Sequence, residues 1–510
     1  MSLRNLNYMS GQFAEPEPEF DFSHQHHQKP DHDVTEDTKQ QPLFQTMEEA
    51  HSQASQVPNM TQIALARAGR QQNGLDEEIA RAETHIQEQE AAFTAQLNTT
   101  LTPELRQRHF SSLRQHYDAY IALLMEAGYE ERAFNASERV RTLAHRAHLL
   151  ETDARGGLPE TLDLAGVQNQ VLDEETAILS FSILPGKSYV WVVTQEGMTT
   201  HALSTEELLK SMALYKRRMR GSFDSMERLK QFTDDAANIL GLNSILSDLS
   251  NIKRLVIIPD GFLNIMPLDL LPLDSTNGHD LRILLDRYEI VHAPSATSVA
   301  ISREQISSRE IVPNDNTAAV LAISDFAGLE PLDGVAIEAD SLVDIHGEDN
   351  ANLLENDEVT TQNLQKLTEN GYEVVHIGSH GDLGKWIISD GTTDIELTAE
   401  DIRRLDFSTD LLVLSFCESG IDSYSRYSDG DESVGRIFLE APGIPRVIST
   451  LWRVDDEATA RFMEYFYRAF QSNGGMSASQ ALRQAKLDMR NDPEYRAIEH
   501  WAAFKLEGDW

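Results

Sequence analysis

The sequence has one cysteine in 510 residues. It can form no disulfide within itself, and a lone thiol suits a reducing, cytoplasmic setting. It is short of positive charge: 43 Lys and Arg stand against 83 Asp and Glu, for a net charge of -40. So negative a chain makes a poor direct partner for nucleic acid or an anionic membrane unless a basic patch interrupts it. The nearest such patch, Lys216–Arg220, has the spacing of one charged helix face. Long apolar runs are missing as well. No stretch approaches the roughly eighteen apolar residues of a membrane span, and the N-terminus lacks the basic-then-apolar order of a signal peptide. No Gly-rich phosphate loop follows a strand pattern, which removes a flavodoxin-like nucleotide binder. No cofactor and no metal site is expected, because the histidine cluster over 24–33 is irregularly spaced in a polar segment.

What is present divides the chain into four parts, against the roughly three domains that its length suggests. Residues 1–60 alternate acids with Pro, Gln and His. They hold too little apolar surface to offset the entropy of ordering and read as a disordered tail. Residues 61–155 read as helical. Leu75, Ile79, Ala82, Ile86, Phe93 and Leu97 recur at helical spacing. Pro103 opens a second helix and Gly128 closes it, and Ala133, Ala136, Val140 and Leu143 mark the inner face of a third. Residues 160–312 and 313–510 both read as α/β. In the first, 177–184 and 189–194 flank the turn signal Pro185-Gly186, and 254–259 is a buried strand. In the second, strand patterns begin at 318, 373, 411 and 446, with helical stretches at 338–346, 361–370, 455–471 and 477–490.

Two of these strands end in chemistry. Glu373-Val-Val-His-Ile-Gly-Ser-His-Gly381 delivers a histidine followed by glycine, and Leu411-Leu-Val-Leu-Ser-Phe-Cys-Glu-Ser-Gly420 delivers the cysteine. Lying parallel in one sheet, they would bring both groups to its carboxyl edge, where open α/β sheets carry their sites. A thiolate is a strong nucleophile, and an imidazole within reach can take the thiol proton and later return it to a leaving amine. Cys417 and His380 are therefore the candidate nucleophile and base, with the backbone N–H groups of Gly381 and Cys417 as candidate oxyanion donors. His376 lies mid-strand, so His380 is the histidine at the edge. The polar, Gly-rich stretch 420–435 reads as a surface loop that gates the site, with Arg426 as a point of self-cleavage. Asp260 and Ser295 suggest a second acid and nucleophile, but no histidine motif serves them and they read as turn residues.

His376-Ile-Gly-Ser-His-Gly381, Leu414-Ser-Phe-Cys-Glu-Ser-Gly420 and Ile448-Ser-Thr-Leu-Trp-Arg-Val-Asp-Asp-Glu-Ala-Thr459 together resemble the CHAT family. These are bacterial caspase-like cysteine peptidases, in the wider clan with caspases, separase and clostripain. Ile257–Leu268, Tyr288–Ser295 and His500–Gly508 also resemble family elements, so the likeness covers about residues 165–510. Departures are Gly378-Ser379 for a usual Ala-Thr, Phe416 for Ala and Ser419 for Thr. The resemblance implies a caspase-like three-layer α/β sandwich with a pseudo-protease half and a catalytic half. A small all-α region with one degenerate tetratricopeptide-like repeat precedes it. The implied activity is that of a cysteine endopeptidase cutting a specific protein substrate through Cys417 and His380. Bacterial defence or regulated cell death is the implied setting, a pore-forming effector an implied substrate, and residues 60–150 the implied contact for an activating partner. Clan relatives that cut after basic residues line their pocket with acids, which points to Asp455 and Asp456, with Glu418 and Trp452 beside them. Both aspartates also open a helix, where the dipole favours acids. The alternative is a catalytically silent scaffold or signalling adaptor, its pocket occluded by Phe416.

Overall fold

The apolar β-branched runs form strands, and most of the strands join one sheet. The computed structural model describes residues 72–97, 103–151, 160–210, 240–247, 249–273, 282–308, 317–368, 371–382, 385–389, 392–405, 408–416, 419–420, 433–440, 443–471 and 475–510. The expected tail over 1–60 and the basic run Lys216–Arg220 lie outside the described residues. The strands are β1 (Thr176–Ser182), β2 (Lys187–Thr194), β3 (Gly197–Ser204), β4 (Arg254–Ile258), β5 (Glu289–His292), β6 (Ala318–Ala322), β7 (Ala351–Glu355), β8 (Gly371–Gly378), β9 (His380–Asp382), β10 (Lys385–Ser389), β11 (Asp394–Leu397), β12 (Ser408–Ser415), β13 (Arg446–Thr450) and β14 (Phe504–Gly508). The principal helices are α1 (Gln72–Leu97), α2 (Pro103–Glu126), α3 (Glu130–Glu151), α4 (Ala296–Ser308), α5 (Asp333–His346), α6 (Thr361–Thr368), α7 (Val434–Glu440), α8 (Asp456–Phe470) and α9 (Ala478–Asn491). Among the described residues, no helix is long and apolar enough to cross a membrane.

Eleven strands make the main sheet, in the order β3-β2-β1-β4-β5-β14-β13-β12-β8-β6-β7. Strands β1, β4, β5 and β14 run parallel to one another, and so do β13, β12, β8, β6 and β7. The two sets meet at β13 and β14, which are antiparallel. The carboxyl ends of β8 and β12 therefore lie at the opposite sheet edge from those of β4 and β5. Asp260 and Ser295, which follow β4 and β5, cannot share a site with His380.

Alternation along the strands builds the layers, because successive side chains point to opposite faces. Val320, Val374 and Val413 pack under α5, α8 and α9. Leu321, Val375, Leu412 and Leu414 face the other way, against α6, α7 and Trp386 of β10. Burying each such aliphatic side chain contributes about 1.5–3 kcal/mol. The result is a mixed α/β sandwich with helices on both faces of the sheet.

Helices α1, α2 and α3 cover one face of the first half, packing on Ile178, Trp191 and Val256. They also reach its carboxyl edge. Arg114 forks onto both Asp260 carboxylate oxygens at 3.2 and 3.1 Å, and the Ile183 N–H donates to the same carboxylate at 2.8 Å. Arg141 donates to the carbonyls of Phe181, Pro259 and Pro294 at 2.6, 2.7 and 3.4 Å. Ser295 caps α4, accepting from the Ser298 N–H at 3.0 Å.

Three strands, β3, β7 and β11, have no clean sequence pattern because each lies at a sheet margin and is partly exposed. Strand β14 is hidden for another reason. Lys505 and Glu507 break its apolar run, yet both are buried, paired with each other at 3.1 Å. Arg141→Ala would leave three buried carbonyls short of a donor. A fall in unfolding free energy of about 3 kcal/mol or more is expected in urea titrations. Lys253→Ala, which removes an exposed ion pair with Glu175, is expected to be near neutral.

Candidate active site

Strands β8 and β12 are parallel neighbours, with Gly378 opposite Ser415. Each continues by two residues to a candidate group, His380 and Cys417 respectively. Cys417 and Glu418, with most of the 420–435 loop and Arg426, lie outside the described residues. The chain resumes at Ser419 and Gly420, fixed against the end of β13. The Gly420 N–H donates to the Thr450 carbonyl at 2.8 Å, and the Thr450 N–H donates to Ser419 Oγ at 3.0 Å. A Cβ on Gly420 would stand 2.5 Å from both Lys505 Cε and Ser449 Oγ, so only glycine passes there.

After Gly378 the chain leaves the main sheet. His380 and Gly381 begin a small second sheet, pairing with Ile387 and Trp386 of β10. His380 Nε2 lies 2.8 Å from the Glu330 carbonyl. A carbonyl only accepts, so Nε2 carries the proton, and Nδ1 of the neutral ring is left with its lone pair. The ring also rests on Phe326, centroids 4.6 Å apart.

The loop that presents Phe326 and Glu330 is clamped at both sides. Asn356 Oδ1 accepts from the N–H groups of Ser324 and Asp325 at 2.9 and 3.0 Å. Asn356 adopts φ 46°, the left-handed region in which Asn is the most tolerated of the larger residues. Asp394 accepts from the N–H groups of Ala327 and Gly328, each at 2.8 Å. Burial pushes the Asp394 carboxyl up. Those two donors, the Ser389 hydroxyl and the nearby His380 outweigh it and hold the group below its usual value. Close packing completes the support. A Cβ on Gly334 would stand 2.5 Å from Asp456 Cβ, and one on Gly378 would stand 2.8 Å from Val335 Cγ1. Val335 thus fills the space that the usual alanine would use at 378.

His380 opens on a cleft of about 620 Å³. Its wall carries the acids Glu330, Asp333, Glu338, Asp455, Asp456 and Glu457 against Arg453. Asp455 and Asp456 are thus brought beside His380. Asp455 is also the cap of α8, accepting from the Ala458 N–H at 3.1 Å. The half-buried Asp456 carboxyl is pushed up by burial and by the charge of Asp455, with His380 opposing. Trp452 is turned away from the cleft and donates from Nε1 to the Glu499 carbonyl at 3.0 Å. Phe416 touches the cleft but is 4% exposed, its ring packed in the core with Trp386 and Leu414. His376 is buried on the α5 and α8 side of β8, 3.0 Å from Glu338 Oε1. Sequence reasoning did not find Glu330, Glu338, Asn356 or Asp394. Glu330 acts through a carbonyl that any residue has, and the others depend on tertiary approach.

The CHAT domain model matches residues 234–509. No curated protein matches the sequence. Among solved structures, the separase–securin complex of Saccharomyces cerevisiae is similar at 11% identity and a TM-score of 0.52, over 86% of this chain and 38% of that one. This chain therefore spans well under half the length of that relative, and the likeness is one of fold. The Arg-specific cysteine proteinase gingipain R, from Porphyromonas gingivalis, aligns at 12% identity and a TM-score of 0.38, over 56% of this chain and 67% of that one.

Asp394→Ala is expected to free the Ala327 and Gly328 amides. Their hydrogen-exchange protection should fall about tenfold or more, the scale of one lost charge-assisted hydrogen bond. Acid should do the same to the wild type. The carboxyl is held low when folded, so its contribution is full above about pH 4 and is lost as pH falls through the lowered value.

Proposed function

Because the chain belongs to the CHAT domain family, we propose that it is a cysteine endopeptidase in which Cys417 is the nucleophile and His380 the base. The observation that carries this reading is His380 itself. It stands at the end of the strand next to the one that leads to the cysteine, with Nε2 committed to the Glu330 carbonyl and Nδ1 left to accept a proton.

Nδ1 takes the thiol proton, and the sulfur attacks the carbonyl carbon of the scissile amide. The amide oxygen becomes an oxyanion that the N–H groups of Gly381 and Cys417 receive. The imidazolium then gives its proton to the leaving amine as the C–N bond breaks, leaving a thioester. His380 next deprotonates a water, which attacks the thioester, and the proton returns to the sulfur as the acid product departs. No metal or cofactor enters this scheme.

The acids of the cleft favour a cationic side chain before the cut, with Asp456 and Asp455 at its wall and Glu418 beside the nucleophile. The substrate is a specific protein, such as a pore-forming effector, and cleavage serves bacterial defence or regulated cell death in the cytoplasm. An activating partner binds through residues 60–150. The helical part of that segment lies against the first half of the sheet, and its α3 also touches α7, which follows the loop after Cys417. The core position of Phe416 gives no support to an occluded, silent scaffold.

The test is N-terminal labelling of a lysate of the source cell exposed to wild type, Cys417→Ala or His380→Ala. New termini are expected with the wild type alone, preceded mainly by Lys or Arg. Identical termini in all three samples would overturn the peptidase reading.

A further inference from the structure

A line of four buried polar groups crosses beneath the cleft. The Tyr467 hydroxyl, on α8, lies 3.0 Å from His376 Nδ1. His376 Nε2, on β8, lies 3.0 Å from Glu338 Oε1, on α5, close enough for an ion pair but out of line for a hydrogen bond. The Ser415 hydroxyl, on β12, donates to Glu338 Oε2 at 2.9 Å. All four residues are at most 4% exposed. Burying such groups costs free energy unless each finds a partner, and an apolar core needs none of them. The neighbours Val374, Val413, Ala339 and Met463 show that apolar side chains fill this layer.

The four elements joined here are those that build the site. Strand β8 runs on to His380, and β12 runs on to Cys417. Helix α5 is entered from the loop whose Glu330 carbonyl holds His380, and α8 opens with Asp455 and Asp456. Glu338, on α5, meets both strands, β8 and β12, and it also lines the cleft with His380.

We propose that Glu338 is a positioning residue for the cysteine–histidine reaction. Its carboxylate, held by Ser415 and facing His376, sets β8 and β12 against α5 and so keeps side by side the strand ends that lead to His380 and Cys417. The inference rests on the peptidase reading above. The groups that face Glu338 are His376 from β8, Ser415 from β12, and Tyr467 and Asp456 from α8. His346, further along α5, lies with its ring 5.6 Å from that of Tyr467, and Arg453 shares the cleft.

A single cysteine makes the test clean, since iodoacetamide alkylation followed by intact mass reads Cys417 alone. Rates across pH 5 to 9 would be compared for wild type, His380→Ala, Glu338→Gln and Asp340→Asn, the last an exposed carboxylate of α5. Glu338→Gln is expected to slow alkylation at neutral pH about tenfold and to move its profile to higher pH, with Asp340→Asn unchanged. A merely structural role would change stability and leave the profile in place. If His380→Ala slows alkylation and Glu338→Gln matches the wild type, this inference falls and the dyad stands. If His380→Ala has no effect, both fall. Should Glu338→Gln not fold, Ser415→Ala keeps the charge and removes one tether, and an unchanged profile for it would likewise overturn the proposal.

Discussion

One hydrogen bond sets the terms for the site: His380 Nε2 to the Glu330 carbonyl. A neutral imidazole carries one proton, and fixing that proton on Nε2 decides which nitrogen can act as base. The bond has value only if the carbonyl does not move. Hence the loop before α5 is held by side chains from outside it, Asn356 at its start and Asp394 at its middle. The tilted ring of Phe326 adds contact area without adding another proton acceptor.

Much of this site was legible in the chain and some of it was not, for reasons that can be named. The strands ending near His380 and Cys417 declare themselves because a parallel, doubly covered strand is apolar on both faces. The start of α8 was legible because Asp455 is a good cap for a helix with a strong apolar stripe. Strand β14 was visible only as a motif, since its buried Lys505–Glu507 pair looks like a surface pattern. Glu338 sits in a helix whose other acids, Asp333, Asp340 and Asp344, are exposed. Nothing in their spacing tells which acid is buried. Trp452 illustrates the opposite case: a residue conspicuous in a motif whose indole serves packing and one carbonyl.

The first half of the sheet ends differently from the second. Its own carboxyl edge is filled by arginines from α2 and α3, which satisfy one carboxylate and three carbonyls. Those helices are therefore bound into the fold by buried polar contacts as well as by the apolar face of α1, α2 and α3. Helix α3 also touches α7, which follows the loop after Cys417 and whose Gly435 N–H donates to the Ser419 carbonyl at 2.8 Å. Both ends of that loop are thus held by regular structure.

The placement of β14 bears on how the chain reaches this state. Strand 504–508 lies between β5 and β13, so the two halves touch within the sheet only through it. Glu507 must find His292, more than two hundred positions earlier, before the sheet is continuous. Closing so long a loop costs little more than closing a short one, but contacts of such sequence separation form slowly. Strand β14 meets β13 from some fifty positions away, so the turn at Ser419 and Gly420, which leans on Thr450, Ser449 and Lys505, has its wall before that slower joining of the halves.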